Sequence, residues 1–287
     1  MVSNNSTNNA GGSPEPLERI EPLIRIERLA VKFGPLAVLR DVSLSLARGQ
    51  TLAVIGESGC GKTVFLKTII GLLRPSDGAA YFDGHNLSTL DDHELTRQRI
   101  RFGFLFQQAA LFDSMTVFQN VAFPLRQHTA MDDGQIKQIV MDRLLEVGLP
   151  EEVLMKKPAE LSGGMRKRVG LARALAMEPE VMLYDEPTTG LDPIMSDVIN
   201  ELLLHARRQH PVTSVVVTHD MRTAQKVADR IVMLYPLGRL GDGEPQIVYD
   251  GPADRIDDHD DPRVRQFVRG EAGERLMEMR RKNGMDR

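Results

Sequence analysis

The sequence predicts an α/β fold, a sheet covered by helices on both faces and interrupted by a helical insertion. Three observations lead there. Short apolar runs, TLAVI at residues 51–55, VMLY at 181–184, SVVVT at 214–218 and IVMLY at 231–235, are separated by segments of helical character. Those runs are apolar throughout, the pattern of strands buried on both faces. Between about residues 116 and 176 the alternation stops and apolar residues recur at helical spacing.

In chain order, residues 1–21 lack the basic and apolar regions of a secretory signal and read as a disordered tail. Ile24 and Ile26, then Leu29, Val31 and Phe33, recur at period two and predict a strand with a slip near its middle. Val42, Leu44 and Leu46 predict a second strand. TLAVI predicts a buried strand, after which Gly56 begins a glycine-rich turn. TVFLKTIIGLL, residues 63–73, is expected to be a helix stopping at Arg74-Pro75, and Asp83-Gly84 is a hairpin turn signal. Asp132 is a helix N-cap for a segment carrying Ile136, Ile139, Val140, Leu144 and Val147, ending at Gly148. A helix over about residues 194–210 follows VMLY, and GRLGDGEPQIVYDG, residues 238–251, reads as an extended hairpin after the last core strand. The division is a tail to 21, a core domain over 22–252 with a helical subdomain at about 110–176, and a C-terminal helical extension over 253–287.

The totals exclude several classes. A chain of 287 residues with 41% hydrophobic and 26% charged residues has an ordinary globular composition. A net charge of -4 gives no basic footprint for nucleic acid. The single cysteine, Cys60, excludes an intrachain disulfide. No uncharged apolar run reaches the roughly 18 residues of a membrane helix. The nearest approach, FGFLFQQAALFDSMTVFQNVAF at 102–123, holds six of the ten phenylalanines but is interrupted by Gln107, Gln108, Asp113 and Ser114.

GESGCGKT, Gly56 to Thr63, matches the phosphate-loop pattern in its required setting, strand before and helix after. Its glycines turn backbone N–H groups toward phosphate oxygens, with Lys62 placed for the β- and γ-phosphates and Thr63 for Mg²⁺. VMLYDE ends a buried strand in two acids, Asp185 to hold Mg²⁺ and Glu186 to act as base on the attacking water. Alone, such a pair reads as a solvated strand end; beside a phosphate loop it does not. In LSGGMRKRVGLARAL, Ser162, Gly163 and Gly164 open a basic amphipathic helix and form a second anion site. One subunit has no second nucleotide to offer it, so the site is expected to face the nucleotide of a partner copy.

Phosphate loop, LSGGM, DEPTTGLDP and His219 occur in the order and spacing of ABC-transporter nucleotide-binding domains, and the chain resembles that family over roughly residues 23–251. The resemblance implies a P-loop NTPase of the ABC type, with a central mostly parallel sheet, an antiparallel β subdomain and a helical insertion. It implies an ATPase using ATP and Mg²⁺, the nucleotide held by Phe33 against adenine and by Gly56, Glu57, Ser58, Gly59, Cys60, Gly61, Lys62, Thr63 and Val64. Gln107 matches the glutamine that contacts Mg²⁺ and the attacking water, Asp192 the aspartate at the dimer seam, and His219 the histidine on the γ-phosphate. Two positions depart from the common pattern: Val64 lacks a second hydroxyl, and Met165 replaces a glutamine.

LSGGM followed by basic residues, the FQ-x-x-ALF-D-SMTV-x-x-NVAFPL run and YDEPTTGLDP further resemble ATPases of mammalian-cell-entry (MCE) lipid transporters, among them the maintenance-of-lipid-asymmetry (Mla) system. This implies a second copy of the chain, an integral-membrane permease and an MCE-domain lipid-binding component. It places the protein peripherally on the cytoplasmic face of a bacterial inner membrane, with phospholipid as cargo and no nucleic acid as partner. The alternative is the ATPase of a small-solute importer. A single motif set argues against a two-cassette translation factor, and the 54 residues between Gln107 and Ser162 are too few for a repair ATPase's coiled coil. In this family the 102–123 region receives the permease's coupling helix. Phe112, Met115 and Phe118 are expected to line that groove, with Phe102 and Phe104 in the core only; the MRRK run near the C-terminus reads as a solvated helix end.

Overall fold

The computed structural model describes residues 21–273. The expected disordered tail and the MRRK run therefore lie outside the described residues.

The chain opens with β1 (Ile24–Phe33), β2 (Leu36–Leu46) and β3 (Thr51–Ile55), then α1 (Lys62–Ile69), β4 (Asp77–Phe82), β5 (His85–Asn86) and α2 (Asp92–Ile100). β6 (Phe102–Leu105) leads into α3 (Val117–His128), α4 (Asp133–Glu146) and α5 (Gly163–Leu175). Strand and helix then alternate through β7 (Val181–Asp185), α6 (Pro193–Gln209), β8 (Thr213–Val217), α7 (Met221–Val227) and β9 (Arg230–Leu234). β10 (Ile247–Pro252) and α8 (Pro262–Arg269) complete it.

Among the described residues the strands form two sheets. The smaller, in the order β2-β1-β4-β5, is antiparallel; the larger, β10-β9-β3-β8-β7-β6, is parallel except for β10. The continuous apolar strands of the sequence are its parallel centre, and alternate residues serve different cores. Leu183, Val215 and Val217 join the core shared with the antiparallel sheet, whereas Met182, Tyr184 and Val216 join that of the helical subdomain. Ala53, Ile55, Ile231 and Met233 pack with Tyr249, Ile256 and Val264 of the C-terminal segment.

The strand slip in β1 is a register shift between Ile26 and Leu29, where Arg28 adopts φ 47°. The β4–β5 hairpin turns on Asp83 and Gly84, both left-handed at φ 49° and 79°. The helix expected over 63–73 stops earlier, at Ile69. Gly71 takes φ 70°, and the amides of Leu72 and Leu73 fold back onto the Lys67 carbonyl at 2.8 and 3.1 Å. A left-handed glycine ends the helix before the proline can, and the apolar run continues past it.

The helical subdomain is entered through two reciprocal caps, Thr116 with Gln119 and Asp132 with Gln135. Its entry loop is shaped by Asn120, a fully buried side chain. The Asn120 Oδ1 accepts the Phe112 N–H at 2.8 Å, and its Nδ2 faces the carbonyls of Thr116, Phe112 and Met115 at 3.0, 3.2 and 3.3 Å. One amide thus ties the turn at Phe112–Met115 to the start of α3. Asn120→Leu fills the same space without those bonds and should lower stability by about 2 kcal/mol or more; chemical denaturation of the two proteins measures it, and no loss would show the loop shaped by other contacts.

Candidate nucleotide site

Neighbouring parallel strands β3, β8 and β7 end side by side, and their carboxyl ends carry Gly56, Thr218-His219 and Asp185-Glu186. Such ends are where open α/β sheets bind ligands. Gly56 has φ 143°, and a Cβ there would overlap the Leu234 carbonyl and approach Cys60 Sγ to 2.8 Å, so only glycine allows this close passage. The loop closes on α1, whose first turn carries no acidic residue and leaves its N–H groups open to an anion.

The Lys62 Nζ folds back over the loop, donating to the Gly56 and Glu57 carbonyls at 2.8 and 3.1 Å, and lies 4.0 Å from Glu186 Oε1. Thr63 Oγ1 donates to Asp185 Oδ1 at 3.1 Å. Burial, reinforced by the neighbouring Glu186, pushes the Asp185 carboxyl above its ordinary value, against the opposing pull of Thr63, Lys67 and Lys62. A hydroxyl and a carboxylate converging in this way are hard oxygen donors of the kind Mg²⁺ takes, and a dication there would favour the ionised acid.

Glu186 stands at the crossing of these elements in a left-handed conformation, φ 49°. Its N–H donates to the Val217 carbonyl at 2.8 Å, and its own carbonyl accepts Lys167 Nζ at 3.0 Å. The Oε2 meets His219 Nδ1 at 2.8 Å and accepts the Thr189 hydroxyl at 3.1 Å. Lys62, Thr63, Asp185, Glu186 and His219 are therefore one cluster.

The other residues named from sequence lie outside that cluster of side chains, some of them in the loop itself. Gln107 and Gly163 line an adjoining cavity of about 600 Å³ with Gln108, Lys167 and Thr189, the last two of which also bond Glu186. Ser162 caps α5 by accepting the Met165 N–H at 3.2 Å, and a Cβ on Gly164 would come within 2.8 Å of Met195 Cε. Asp192 caps α6, accepting from Ile194 and Met195 at 3.0 Å each. Phe33 ends β1 with its ring half exposed, Ser58 and Gly59 are exposed, Cys60 and Gly61 are buried, and Val64 packs against the core.

Beyond Gln108 the backbone takes an uncommon path. Ala109 and Ala110 are both left-handed, at φ 60° and 46°, and the half-buried Arg173 guanidinium donates to their carbonyls at 2.7 and 2.8 Å. Arg173 also lies 5.8 Å from the centre of the Phe112 ring. Phe112 and Arg173 border an apolar pocket of about 280 Å³ with Phe102, Phe104, Phe106 and Phe123. This corrects one expectation. Phe102 and Phe104 are not core only, because β6 is the edge of its sheet and one face of it opens on the pocket. Phe118 does not line it; five residues before Phe123 on α3, it is turned away by about 140° and packs on the helical-subdomain core. Met115 is likewise not among the lining residues, its carbonyl facing Asn120.

Sequence reasoning missed Lys167 and Arg173, both inside the LSGGM helix, and Gln246. The buried Gln246 side chain donates to the carbonyls of Cys60 at 3.0 Å and Val38 at 3.1 Å and accepts the Arg40 N–H at 2.9 Å, tying the phosphate loop to β2. Nothing in GDGEPQIV marks it. The basic residues after LSGGM were visible, but only as a mark of resemblance.

The chain is similar in sequence and fold to known proteins. The ABC transporter family profile matches residues 39–189. The probable ribonucleotide transport ATP-binding protein mkl of Mycobacterium tuberculosis is 41% identical over 247 residues, 86% of this chain, and the chain spans 66% of that relative's length. The intermembrane phospholipid transport system ATP-binding protein MlaF is 38% identical in Haemophilus influenzae and 37% in Escherichia coli K12, with 91% of each relative covered. Among solved structures, the dimeric post-hydrolysis state of the cassette MJ0796 bound to ADP and Pi superposes with a TM-score of 0.71 at 33% identity, covering 80% of this chain and 98% of that one. CbiO1 of Clostridium perfringens, part of the transporter complex cbiONQ, gives 0.73 at 25% identity over 90% of this chain and 97% of its own. The chain belongs to the ABC transporter family, as an ATP-binding, ATP-hydrolysing subunit similar to MlaF.

Proposed function

We propose that this ATPase drives a separate integral-membrane permease that moves phospholipid between the inner and outer membranes, working as a pair of identical copies. The observation that carries the reading is the similarity to MlaF of Haemophilus influenzae, 38% identical with 91% of its length covered, whose name states intermembrane phospholipid transport. The partners are then the permease and an MCE-domain lipid-binding component, and the chain sits peripherally on the cytoplasmic face of the inner membrane. No helix among the described residues is long and apolar enough to cross a membrane.

In this reading ATP lies between the phosphate loop of one copy and Ser162, Gly163 and Gly164 of the other, with Phe33 against adenine. The loop from Gly56 through Val64, with its backbone N–H groups, holds the phosphates, and Lys62 turns from its carbonyls to the γ-phosphate. Thr63 and Asp185, with Gln107 brought in as the dimer closes, would hold Mg²⁺, which neutralises phosphate charge when bound. Glu186 takes a proton from the attacking water as the bond between the γ-phosphorus and the β–γ bridging oxygen breaks, and ADP and phosphate leave. His219 shares the Glu186 carboxylate and reaches the γ-phosphate from the same side. Asp192 lies at the seam, where the cap of α6 fixes its loop. Closure on binding and opening after hydrolysis rock the helical subdomain, and the pocket beside Phe112 passes that movement to the permease.

A small-solute importer is the second reading, favoured by the ribonucleotide transport named for mkl. Capturing the assembled transporter from its membrane separates the two: a lipid-binding MCE component supports the proposal, and a soluble solute-binding protein in its place refutes it.

Glu186→Gln should lower turnover by about a hundredfold or more while ATP-driven dimerisation persists in gel filtration; wild-type turnover in that variant would remove Glu186 from its role. Phe112→Ala should reduce stimulation of hydrolysis by the permease more than hydrolysis by the isolated subunit. Parallel loss of both would mark Phe112 as a packing residue only.

A further inference from the structure

We infer that Lys167 is a positioning residue for hydrolysis, its buried ammonium holding the backbone of Glu186 from the signature helix. The inference rests on the assignment of Glu186 as the general base.

Lys167 lies on α5 and is only 5% exposed, an unusual setting for a lysine. It reaches across to β7's end and donates to the carbonyl of Glu186 at 3.0 Å. That carbonyl belongs to a non-glycine residue at φ 49°, a conformation that the chain does not adopt without support. The opposite side of the same residue is fixed by the bond from its N–H to Val217. The Thr189 N–H also donates to that carbonyl, at 3.3 Å, within the turn itself; of these three bonds the one from Lys167 joins the turn carrying the base to the helical subdomain. Burial brings the amine down to about 8, with Glu186 and Asp185 pulling the other way. Charged or neutral, it retains an N–H to donate, so the link does not depend on protonation.

The helix that supplies this bond begins at Ser162, Gly163 and Gly164, the group placed against the nucleotide of the partner copy. Lys167 lies about one turn further along it and also lines the 600 Å³ cavity bordered by Gln107 and Thr189. A shift of the helix on meeting the partner's nucleotide is thereby carried to the base of its own subunit's site. The coupling runs between the two composite sites of the dimer through one hydrogen bond.

The test is steady-state hydrolysis by the full-length protein with Lys167→Met, which keeps the chain length and apolar stem but donates nothing, beside Lys167→Gln, which keeps an N–H donor. The expected result for Lys167→Met is a kcat lower by about tenfold or more, a KM for ATP within about twofold of wild type, and an unchanged thermal unfolding midpoint. Lys167→Gln should recover part of the kcat, and Lys167→Met in a Glu186→Gln background should still dimerise with ATP. Wild-type kcat in Lys167→Met overturns the inference, as does a loss of kcat accompanied by a raised KM and a matching loss of folding stability. Glu186→Gln alone is the control: full turnover in it overturns the assignment of the base and this inference together, whereas its inactivity beside a fully active Lys167→Met overturns this inference alone.

Discussion

The backbone of Glu186 is held from two sides, by the Val217 carbonyl of β8 and by the Lys167 ammonium of α5. Between those bonds the chain turns left-handed at the end of a buried strand and delivers a carboxylate back over the phosphate loop. Had β7 run on in extended form, Glu186 would have pointed away from the face used by Asp185, since successive strand residues alternate. The turn lets two adjacent acids address one site, one beside the Thr63 hydroxyl and the other between Lys62 and His219. The remaining architecture supplies what that turn needs: a parallel sheet to bring β3, β7 and β8 to a common edge, and a helical subdomain to send Lys167 across.

The sheet does this by being two-faced. Each central strand offers alternate side chains to different cores, so the antiparallel sheet and the helical subdomain are joined through strands one residue thick. Tyr184 is buried in the helical-subdomain core while Leu183 and Asp185 on either side face the other way. Movement of one layer is felt at the strand ends, where the acids sit, because close-packed interiors transmit displacement rather than absorb it.

Much of this was legible before any coordinates. Continuous apolar runs identified the parallel strands, Asp83-Gly84 its hairpin and Asp132 its helix cap, because each depends on local backbone or periodicity alone. The phosphate loop, Asp185, Glu186 and His219 were legible as candidates because strand ends bring short motifs together whatever the loops do. The early stop of α1 was not, since Gly71 inside an apolar run looks like a helical residue until its φ is known. Lys167, Arg173 and Gln246 were invisible for a common reason: each is a long polar side chain whose role is to satisfy backbone carbonyls distant in sequence. Such partners have no periodicity. Phe102 and Phe104 were read as core alone, because whether a strand's face is covered depends on β6 being an edge strand, which its own residues do not reveal.

The two left-handed alanines after Gln108 have a consequence of their own. Nothing about Ala109 and Ala110 favours that path, which for each costs about 1–2 kcal/mol; the Arg173 guanidinium offsets it by holding both carbonyls. The path of the chain beyond Gln108 is thus set from α5 rather than by its own residues, so the place where that helix holds Arg173 decides where the Gln107 end of the loop and the aromatic pocket lie relative to each other.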